Sequence, residues 1–420
     1  MTDYKTIAIN FISNQEEIGN TTLVRNIAEK YRKMGLNVLL VEFDVLYNRN
    51  AKEQDPGIYT NQKLNNKAIV KVNETAIIKV NEKILDNNKK YAELHNYIKE
   101  FKEYIENSVF DLVLFDSISE YDITKYISDK IADYNILHIN SENECYKDCI
   151  RSINERLDQI NYHFSTESNT PVLGFIDQEQ TVAKFVPPCK CLKKEPESLG
   201  SIYRSENIFR ALDTLGASLF LVERTVTPNI LGDEFELVLE SYDYIVSNIN
   251  MATKINKLVQ HNFIESLYDK NLFSYERLKQ IINNFPNILT ESYCASQKTI
   301  MHHLCSLEKT IAISMLIEQC IHKDPNCLSP IDEFGDTPLH ILFSKDYNFI
   351  LFSEVLTRVN TNILIKDDDG LDCYDIFIQS KNKHFSQLKE NSKYFEKDMR
   401  EFEIIENLFK DIYKKYKSMI

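Results

Sequence analysis

The sequence has no tryptophan, only nine glycines, and no long run of apolar residues. Its longest apolar stretches include NVLLVEF and LVLF, whereas a membrane-spanning helix needs roughly 20 apolar residues. The opening MTDYKTIAINF also lacks the basic region and small-residue cleavage site of a secretory signal. We therefore expect a soluble, cytoplasmic protein without a membrane span. Export to a host cell without a conventional signal peptide stays open as an alternative.

Basic residues are fewer than acidic residues. The chain carries 49 Lys and Arg residues against 63 Asp and Glu residues, which gives a net charge of −14. Nucleic-acid binding without sequence preference depends on a positive field, so we do not expect a nucleic-acid partner. The best local basic patch is KCLKK at 190–194.

Cysteine is present but follows no metal-binding pattern. The nine cysteines are scattered and odd in number, and without a signal peptide we expect reduced thiols. Cys145 with Cys149, and Cys189 with Cys191, could supply four thiolates to a zinc ion. Their spacings differ from those of the common CxxC knuckles, so we expect ordinary cysteines and no metal.

The composition indicates a globular protein. With 420 residues, of which 43% are hydrophobic, the chain is long enough for two or three domains. Asn, Ile, Lys and Tyr are plentiful, a pattern that fits AT-rich coding sequences such as those of reduced bacterial genomes. We therefore expect a bacterial protein.

From residue 5 to about 250, strand-like apolar runs alternate with amphipathic helical patterns. The helical patterns cover 21–35, 90–108 and 145–160. The predicted strands are 6–13, 37–44, 76–80, 110–117, 134–140, 171–177 and 217–224. Several are near-continuous Ile, Val, Leu and Phe, which is typical of strands covered on both faces. The alternation predicts an α/β domain over 1–252, with a parallel sheet between helices.

Two polar connecting segments of this domain, 45–75 and 178–205, are predicted to be irregular. The second contains Pro187, Pro188 and Pro196, and proline has no N–H for a strand ladder. We therefore expect no central strand in that segment.

After residue 255 the strand pattern gives way to short helical pairs that repeat. Thr299, Thr337 and Asp372 hold equivalent positions, 38 and 35 residues apart. GDTPLH (335–340) opens one pair, and DDDGLDCYD (367–375) is a degenerate copy of the same opening. A period near 33 with TPLH at the first helix resembles the ankyrin repeat family.

The ankyrin resemblance implies an all-α repeat domain of three to four degenerate repeats over 256–382. It implies that Thr337 and His340 join the turn to the helix by hydrogen bonds, that Pro338 occupies the first helical position, and that Leu339 packs inward. His302, His303 and His340 could suggest a metal, but the resemblance explains His302 and His340 as residues that hydrogen-bond the turns, so we expect no metal. The resemblance also implies a protein partner bound through the repeats. The tail, 383–420, has a helical period and is expected to cap the stack or to project from it.

The α/β half also resembles a known family. Residues 6–44 read as strand, loop, helix and strand, and FDLVLFDS follows at 110–117. The half closes with LFLVERTVTPNI (219–230) and FELVLESYDYIVSNI (235–249). This order resembles the ParA/MinD partition ATPases, a branch of the P-loop NTPases with a deviant Walker A loop, KGGxGKTT. The resemblance places Asp116 on the magnesium side of the site, and Glu42 and Asp44 at the acidic positions after the second strand.

The phosphate loop departs from the family pattern. Aligning GNTT (19–22) on GKTT replaces both family lysines and two of its glycines. The replacements are Gln15, Glu16, Glu17 and Asn20, while Gly19, Thr21 and Thr22 match. A phosphate loop works because glycines let successive N–H groups surround an anion and a lysine neutralises the phosphates. Here two carboxylates stand where phosphate oxygens would lie.

Losing two charge-assisted contacts, at about 1.5–3 kcal/mol each, is enough to abolish ordinary nucleotide affinity. We therefore expect a pseudo-ATPase without a cofactor and without enzymatic activity. ATP with Mg²⁺ would bind only if the degenerate loop still functions, with Thr21 and Asp116 as vestigial magnesium ligands. Asp44 and Asp116 are the vestigial catalytic candidates.

No other catalytic pattern is present. Ser117, Ser119 and His138 lie near predicted strand ends, but no GxSxG elbow surrounds either serine. A thiol site of Cys145, His138 and Asp148 would rest on spacing alone, and we expect a packed cysteine instead.

Two functions follow from these patterns. The first is an interaction or scaffold protein, with a catalytically degenerate ParA-like domain and ankyrin repeats that bind a host or cell-organisation protein. The alternative is a nucleotide-binding partition or positioning ATPase whose repeats recruit cargo. The ParA/MinD resemblance also implies a homodimer through the first domain, although Gln15 removes the lysine that would contact a neighbour's phosphates.

Overall fold

The computed structural model describes fifteen segments of the chain, which divides into two compact units, Met1–Leu258 (unit 1) and Val259–Ile420 (unit 2). The described segments are 6–13, 19–43, 69–72, 75–80, 91–117, 122–140, 146–163, 170–179, 197–203, 233–292, 296–307, 310–344, 349–358, 361–387 and 395–417. Among the helices within these ranges, none is both long and apolar enough to cross a membrane.

Unit 1 is built on one sheet, whose strands follow the apolar runs of the sequence. The strands are β1 (Ile7–Ser13), β2 (Val38–Phe43), β3 (Ile69–Val72), β4 (Thr75–Val80), β5 (Leu112–Ser117), β6 (Tyr134–Ile139), β7 (Val172–Glu179) and β8 (Glu197–Tyr203). Their order in the sheet is β3-β4-β2-β5-β1-β6-β7-β8. All pairings are parallel except that of β3 with β4. Central β1 and β5 are buried along their whole length, as their mostly apolar sequences predict.

Helices cover both faces of this sheet. The described helices of unit 1 are α1 (Asn20–Lys33), α2 (Tyr91–Glu106), α3 (Asp122–Ile131), α4 (Tyr146–His163) and α5 (Asp233–Ala252). On one face, Phe101 of α2 and Ile127 of α3 pack with Phe115 of β5. On the other, α1 packs against β1, β2 and β5, and Tyr31 of α1 donates a 2.9 Å hydrogen bond to Asn250 of α5. The predicted α/β fold with a parallel sheet is confirmed.

The prediction of irregular structure in the two connecting segments is wrong in part. Strand β3 lies within 45–75, and β8 together with the end of β7 lies within 178–205. Both strands are at the edges of the sheet, and β3 has only four residues. β8 begins directly after Pro196, where a proline removes no hydrogen bond from a central ladder. The predicted strand 217–224 lies outside the described residues.

Unit 2 is all-helical in its described part, and its boundary with unit 1 falls in the first turn of α6. Its helices are α6 (Ile255–Tyr268), α7 (Tyr275–Asn284), α8 (Ile300–Ser306), α9 (Ile311–Lys323), α10 (Pro338–Ser344), α11 (Phe349–Arg358), α12 (Cys373–Gln387) and α13 (Phe395–Lys417). They form two layers, with α8, α10 and α12 in succession in one and α7, α9, α11 and α13 in the other. A one-turn 3₁₀ helix follows α7, α9 and α11, with the sequences PNIL, PNCL and TNIL. This second repeat marker is absent from the sequence-based prediction.

The same hydrogen-bond arrangement recurs at the start of α8 and of α10. Nδ1 of His340 accepts a 3.0 Å hydrogen bond from the backbone N–H of Thr337, and Nδ1 of His302 accepts one of the same length from Thr299. Pro338 is the first residue of α10, and Leu339 has no exposed surface. At α12 the turn is held by an aspartate, because the N–H of Asp375 donates to the side chain of Asp372.

The C-terminal helix α13 packs on the stack rather than projecting from it. Its buried residues Phe402 and Phe409 meet an aromatic cluster, with 4.9 Å between the ring centres of Phe409 and Phe343. At the edge of this contact, Nζ of Lys381 lies 2.6 Å from a carboxylate oxygen of Glu406. Helix α13 contacts α11 and α12, the two helices that precede it. Helix α12 runs to Gln387, through the boundary placed at 382.

Candidate functional site

The candidate site lies where β1 ends and α1 begins, at the edge of the sheet where the carboxyl ends of β1, β5 and β6 meet. In open parallel sheets this edge is the usual place for a ligand. Strand β1 ends at Ser13, and Gly19 precedes α1 in a left-handed conformation with φ of 85°. The loop residues 14–18, which include Gln15, Glu16 and Glu17, lie outside the described residues, as does Asp44.

Asn20, which the sequence resemblance aligns with the loop lysine of the ParA/MinD family, is bonded to Asp116. Its side-chain amide donates hydrogen bonds of 2.6 Å to Oδ1 of Asp116 and 3.3 Å to the carbonyl oxygen of Phe11. The hydroxyl of Thr21 donates a 2.5 Å hydrogen bond to Oδ2 of the same carboxylate. Phe11 and Asp116 are register partners in β1 and β5, which explains why one amide reaches both. Each carboxylate oxygen of Asp116 therefore already accepts a hydrogen bond from an uncharged donor of α1.

His138 at the end of β6 completes this arrangement. Its Nδ1 lies 3.2 Å from Oδ1 of Asn20, and the imidazole is 1% exposed. Since Oδ1 of Asn20 can only accept, Nδ1 of His138 carries the proton and Nε2 is left as an acceptor. Burial lowers the pKa of His138 to about 3, so the ring is neutral. Nε2 has no hydrogen-bond partner among the described residues.

A second buried polar network starts from the next residue of β5. The hydroxyl of Ser117 donates a 2.5 Å hydrogen bond to Oδ1 of Asn10 and lies 2.5 Å from the hydroxyl of Ser128 in α3. The amide of Asn10 donates to Asn135 of β6, whose own amide donates to Asp129 of α3. Successive residues of β5 thus connect the sheet to α1 through Asp116 and to α3 through Ser117.

The other sequence candidates are placed as follows. Glu42 is the register partner of Asp116 in the β2–β5 pair, and Thr22 lies half-buried in the first turn of α1. Asp148 pairs with Arg151 on the exposed side of α4, whereas His138 is buried against Asn20. Within the described ranges, no three His, Cys, Asp or Glu side chains are grouped to hold a metal. Cys145, Cys189 and Cys191 are outside those ranges.

The sequence identified Asp116, Thr21 and Asn20 as site positions, but not the contacts among them. It noted His138 near a strand end and in a rejected thiol site, and it gave no role to Asn10, Ser128 or Asn135. Buried polar residues within otherwise apolar strands are the signal that could have identified this network, because buried polar groups require partners.

A magnesium nucleotide does not fit these residues as they stand. Both oxygens of Asp116 are engaged, and between Ser13 and Thr21 the sequence has no lysine or arginine to neutralise phosphates. Among the described residues, Asn20 and Thr21 are neutral donors to the carboxylate of Asp116, and the uncharged imidazole of His138 lies next to Asn20.

Comparisons with known proteins find similarity in arrangement only. No protein-family model matches the sequence, and no curated protein matches it. Among solved structures, the septum site-determining protein MinD of Pyrococcus horikoshii, complexed with Mg-ADP, is 16% identical with a TM-score of 0.41. The match covers 59% of this chain and 99% of that one.

Two further solved structures match over a similar extent. A plasmid partition protein of Borrelia burgdorferi is 13% identical, with a TM-score of 0.38 over 59% of this chain and 100% of the other. The MinC:MinD complex of Aquifex aeolicus is 17% identical, with a TM-score of 0.39. That match covers 58% of this chain and 95% of the other. Similarity of this degree supports no conclusion about activity.

Proposed function

We propose that this chain is an interaction protein, in which a ParA/MinD-like domain has lost nucleotide chemistry and a stack of ankyrin-type repeats binds a protein partner. The observation that carries the first part is the hydrogen bond from Asn20 to Asp116. It places an internal donor on the carboxylate that the resemblance assigns to the magnesium side of the site.

The energetics of the site support the absence of a cofactor. A magnesium ion at Asp116 would have to displace donors that lie at 2.5 and 2.6 Å. Each hydrogen bond to a charged group contributes about 1.5–3 kcal/mol. In sequence, Glu16 and Glu17 add two negative charges to the loop between β1 and α1, and residues 14–20 contain no lysine or arginine. We therefore propose that the site stays in its internally bonded form and binds neither ATP nor magnesium.

Three repeating features of unit 2 support the hypothesis that it consists of ankyrin-type repeats. The helices alternate between two layers, a 3₁₀ turn follows each outer helix from α7 to α11, and the Thr–His bond recurs at α8 and α10. Stacks of this kind present an extended surface of turns and helix faces, which suits protein recognition. The partner we propose is accordingly a protein rather than a nucleic acid.

The alternative function, a nucleotide-binding partition or positioning ATPase, has one observation in its favour. The hydroxyl of Thr21 and the carboxylate of Asp116 remain adjacent, at 2.5 Å, as a magnesium site would require. A nucleotide that brought its own magnesium ion could bind through the Thr21 hydroxyl and the Asp116 carboxylate.

Calorimetric titration of the full chain with ATP and excess magnesium separates the two functions. We expect no heat of binding up to millimolar concentration. Affinity in the micromolar range would refute the proposed function and favour the ATPase.

A restored variant gives the matched control. Gln15→Lys, Glu16→Gly, Glu17→Gly and Asn20→Lys together return the family loop, and binding by this variant would show that the rest of the site can hold a nucleotide. A second variant, with Glu16→Gly and Glu17→Gly alone, tests whether removing the two carboxylates is sufficient for nucleotide binding. The homodimer that the resemblance implies is checked on the same samples by sedimentation, with and without nucleotide.

A further inference from the structure

Three successive turns of unit 2 are joined into one surface by backbone hydrogen bonds. The N–H of Glu333 donates to the carbonyl oxygen of Ser296 at 3.0 Å, and the N–H of Asp368 donates to that of Phe334 at 3.2 Å. We call residues 296–298, 330–336 and 366–371 the turn platform. Because backbone bonds fix their relative positions, side chains on these turns are presented together rather than on separate loops.

The turn platform is strongly acidic. It holds six acidic side chains, three in Asp332–Asp336 and three in Asp367–Asp369, against two lysines, Lys298 and Lys366. Glu333 and Asp368 are exposed. Burial, followed by the negative charges of Asp332 and Asp367, raises the pKa of the Asp336 carboxyl. The carboxylates of adjacent turns therefore repel one another, and a bound positive charge would relieve that repulsion.

Asp332 is a buried acidic residue of the turn platform, and its second carboxylate oxygen has only a long ion pair as partner among the described residues. Its side chain is 1% exposed, and Oδ1 accepts from the N–H groups of Phe334 and Asp336. Its Oδ2 accepts no hydrogen bond from the described residues and has Nζ of Lys298 only at 3.9 Å.

Two large apolar side chains stand among these charges. Phe334 is 58% exposed and Ile331 is 51% exposed. The backbone of Phe334 is fixed on both sides, because its N–H donates to Asp332 and its carbonyl oxygen accepts from Asp368. An aromatic side chain on an already ordered turn loses little further entropy on binding, which favours it as an interface anchor.

We propose that the turn platform binds a basic peptide segment of a partner protein, with Lys or Arg facing Glu333 and Asp368 and an apolar side chain against Phe334. This inference rests on the proposed function of unit 2 and names the chemistry of its partner. Charge complementarity selects a basic partner and excludes nucleic acid, whose phosphates the same carboxylates would repel. A metal ion is disfavoured, because Oδ1 of Asp332 is already engaged and no three-ligand group exists within the described ranges.

The test is fluorescence anisotropy with the full chain and three labelled peptides of equal length, at physiological ionic strength. The peptides alternate Lys with Leu, Lys with Ser, and Glu with Leu. We expect the Lys/Leu peptide to bind most tightly and the Glu/Leu peptide not to bind. Glu333→Lys with Asp368→Lys should weaken Lys/Leu binding by about tenfold or more, because like charges then face each other.

The matched control is Glu265→Lys with Glu403→Lys, which changes the net charge equally at two exposed sites outside the turn platform. It should weaken binding by less than about twofold. Phe334→Ser, which removes no charge, should reduce Lys/Leu binding to the level of the Lys/Ser peptide. Melting curves establish that each variant is folded. If the double reversal fails to fold, Glu333→Gln with Phe334→Ser takes its place.

Equal weakening by the platform and control variants would overturn the proposal, since net charge alone would then explain binding. Equal affinity for the Lys/Leu and Lys/Ser peptides would also overturn it. Failure here is distinguishable from failure of the proposed function. A protein captured equally by wild type and by the double reversal would leave the interaction function standing and place its surface elsewhere.

Discussion

The imidazole of His302 bonds to the carbonyl oxygen of Asp336, which lies 34 residues further along the chain, with 3.0 Å between Nε2 and the oxygen. Its Nδ1 accepts from the N–H of Thr299, so Nε2 must carry the ring proton and donate it. His340 makes the corresponding contact with Leu371, at 3.3 Å. Histidines thus connect successive turns at His302 and His340, and an aspartate, Asp375, takes the equivalent position at the start of α12.

We predict that His302→Ala lowers the free energy of unfolding by about 1–3 kcal/mol, because the buried N–H of Thr299 loses its acceptor. Urea denaturation followed by helical circular dichroism measures this. His322→Ala is the matched control, since His322 is exposed on α9 and its loss should cost less than about 0.5 kcal/mol. Equal effects of the two substitutions would contradict the bridging role.

Stability should fall as the pH is lowered from about 6.5 towards 5. Burial lowers the pKa of His138 to about 3 and of His303 to about 4, and it also lowers the pKa of His302. In this pH window the unfolded chain binds more protons than the folded chain, so acid favours unfolding. The slope is at most about 1.4 kcal/mol per pH unit for each histidine.

Urea midpoints at pH 7, 6 and 5 measure this slope. His138→Gln should flatten it in unit 1, since glutamine does not titrate. Stability that is constant or rises on acidification would show that these histidines are protonated in the folded chain.

Gly335 and Gly370 form a matched pair for testing the turns. Both have positive φ, 76° and 79°, so alanine should cost about 1 kcal/mol at either position from backbone strain. A methyl group at Gly335 would lie 2.8 Å from the backbone nitrogen of Asp368, whereas at Gly370 nothing lies within 4 Å. Gly335→Ala should therefore lower the melting temperature clearly more than Gly370→Ala, as measured by calorimetry. A larger loss for Gly370→Ala would indicate that the turn at Gly335 does not lie against the turn at Asp368.

Phe409→Ala should destabilise unit 2 by about 3–5 kcal/mol, because the ring is fully buried against Phe343 and Phe377. Ile404→Ala, on the same helix but 59% exposed, serves as the control and should cost less than about 0.5 kcal/mol. Denaturation curves of the two variants compare these losses. A small effect at Phe409 would mean that α13 detaches from the stack in solution.

Much of the fold is already specified by the local sequence. The apolar runs at β1, β2 and β5 predict buried strands because strands covered on both faces are mostly apolar along their whole length. The spacing of Thr299, Thr337 and Asp372 likewise predicts successive helical pairs. Strands β3 and β8 are not predicted, because a short edge strand needs fewer apolar residues and tolerates a neighbouring proline.

The sequence alone determined that the loop before α1 contains no lysine or arginine, that Asp116 lies near the end of a buried strand, and that helical pairs recur in the second half. It could not determine which residues contact Asp116. Asn20 and Asp116 are 96 residues apart, and Asn20 and His138 are 118 apart. Their contact depends on the register of β1 with β5 and β6. Because long crossover connections join these parallel strands, the local sequence does not specify that register. Only the tertiary structure therefore decided that Asn20 bonds to Asp116 and lies beside His138, because these contacts exist only when the ends of β1, β5 and β6 lie side by side.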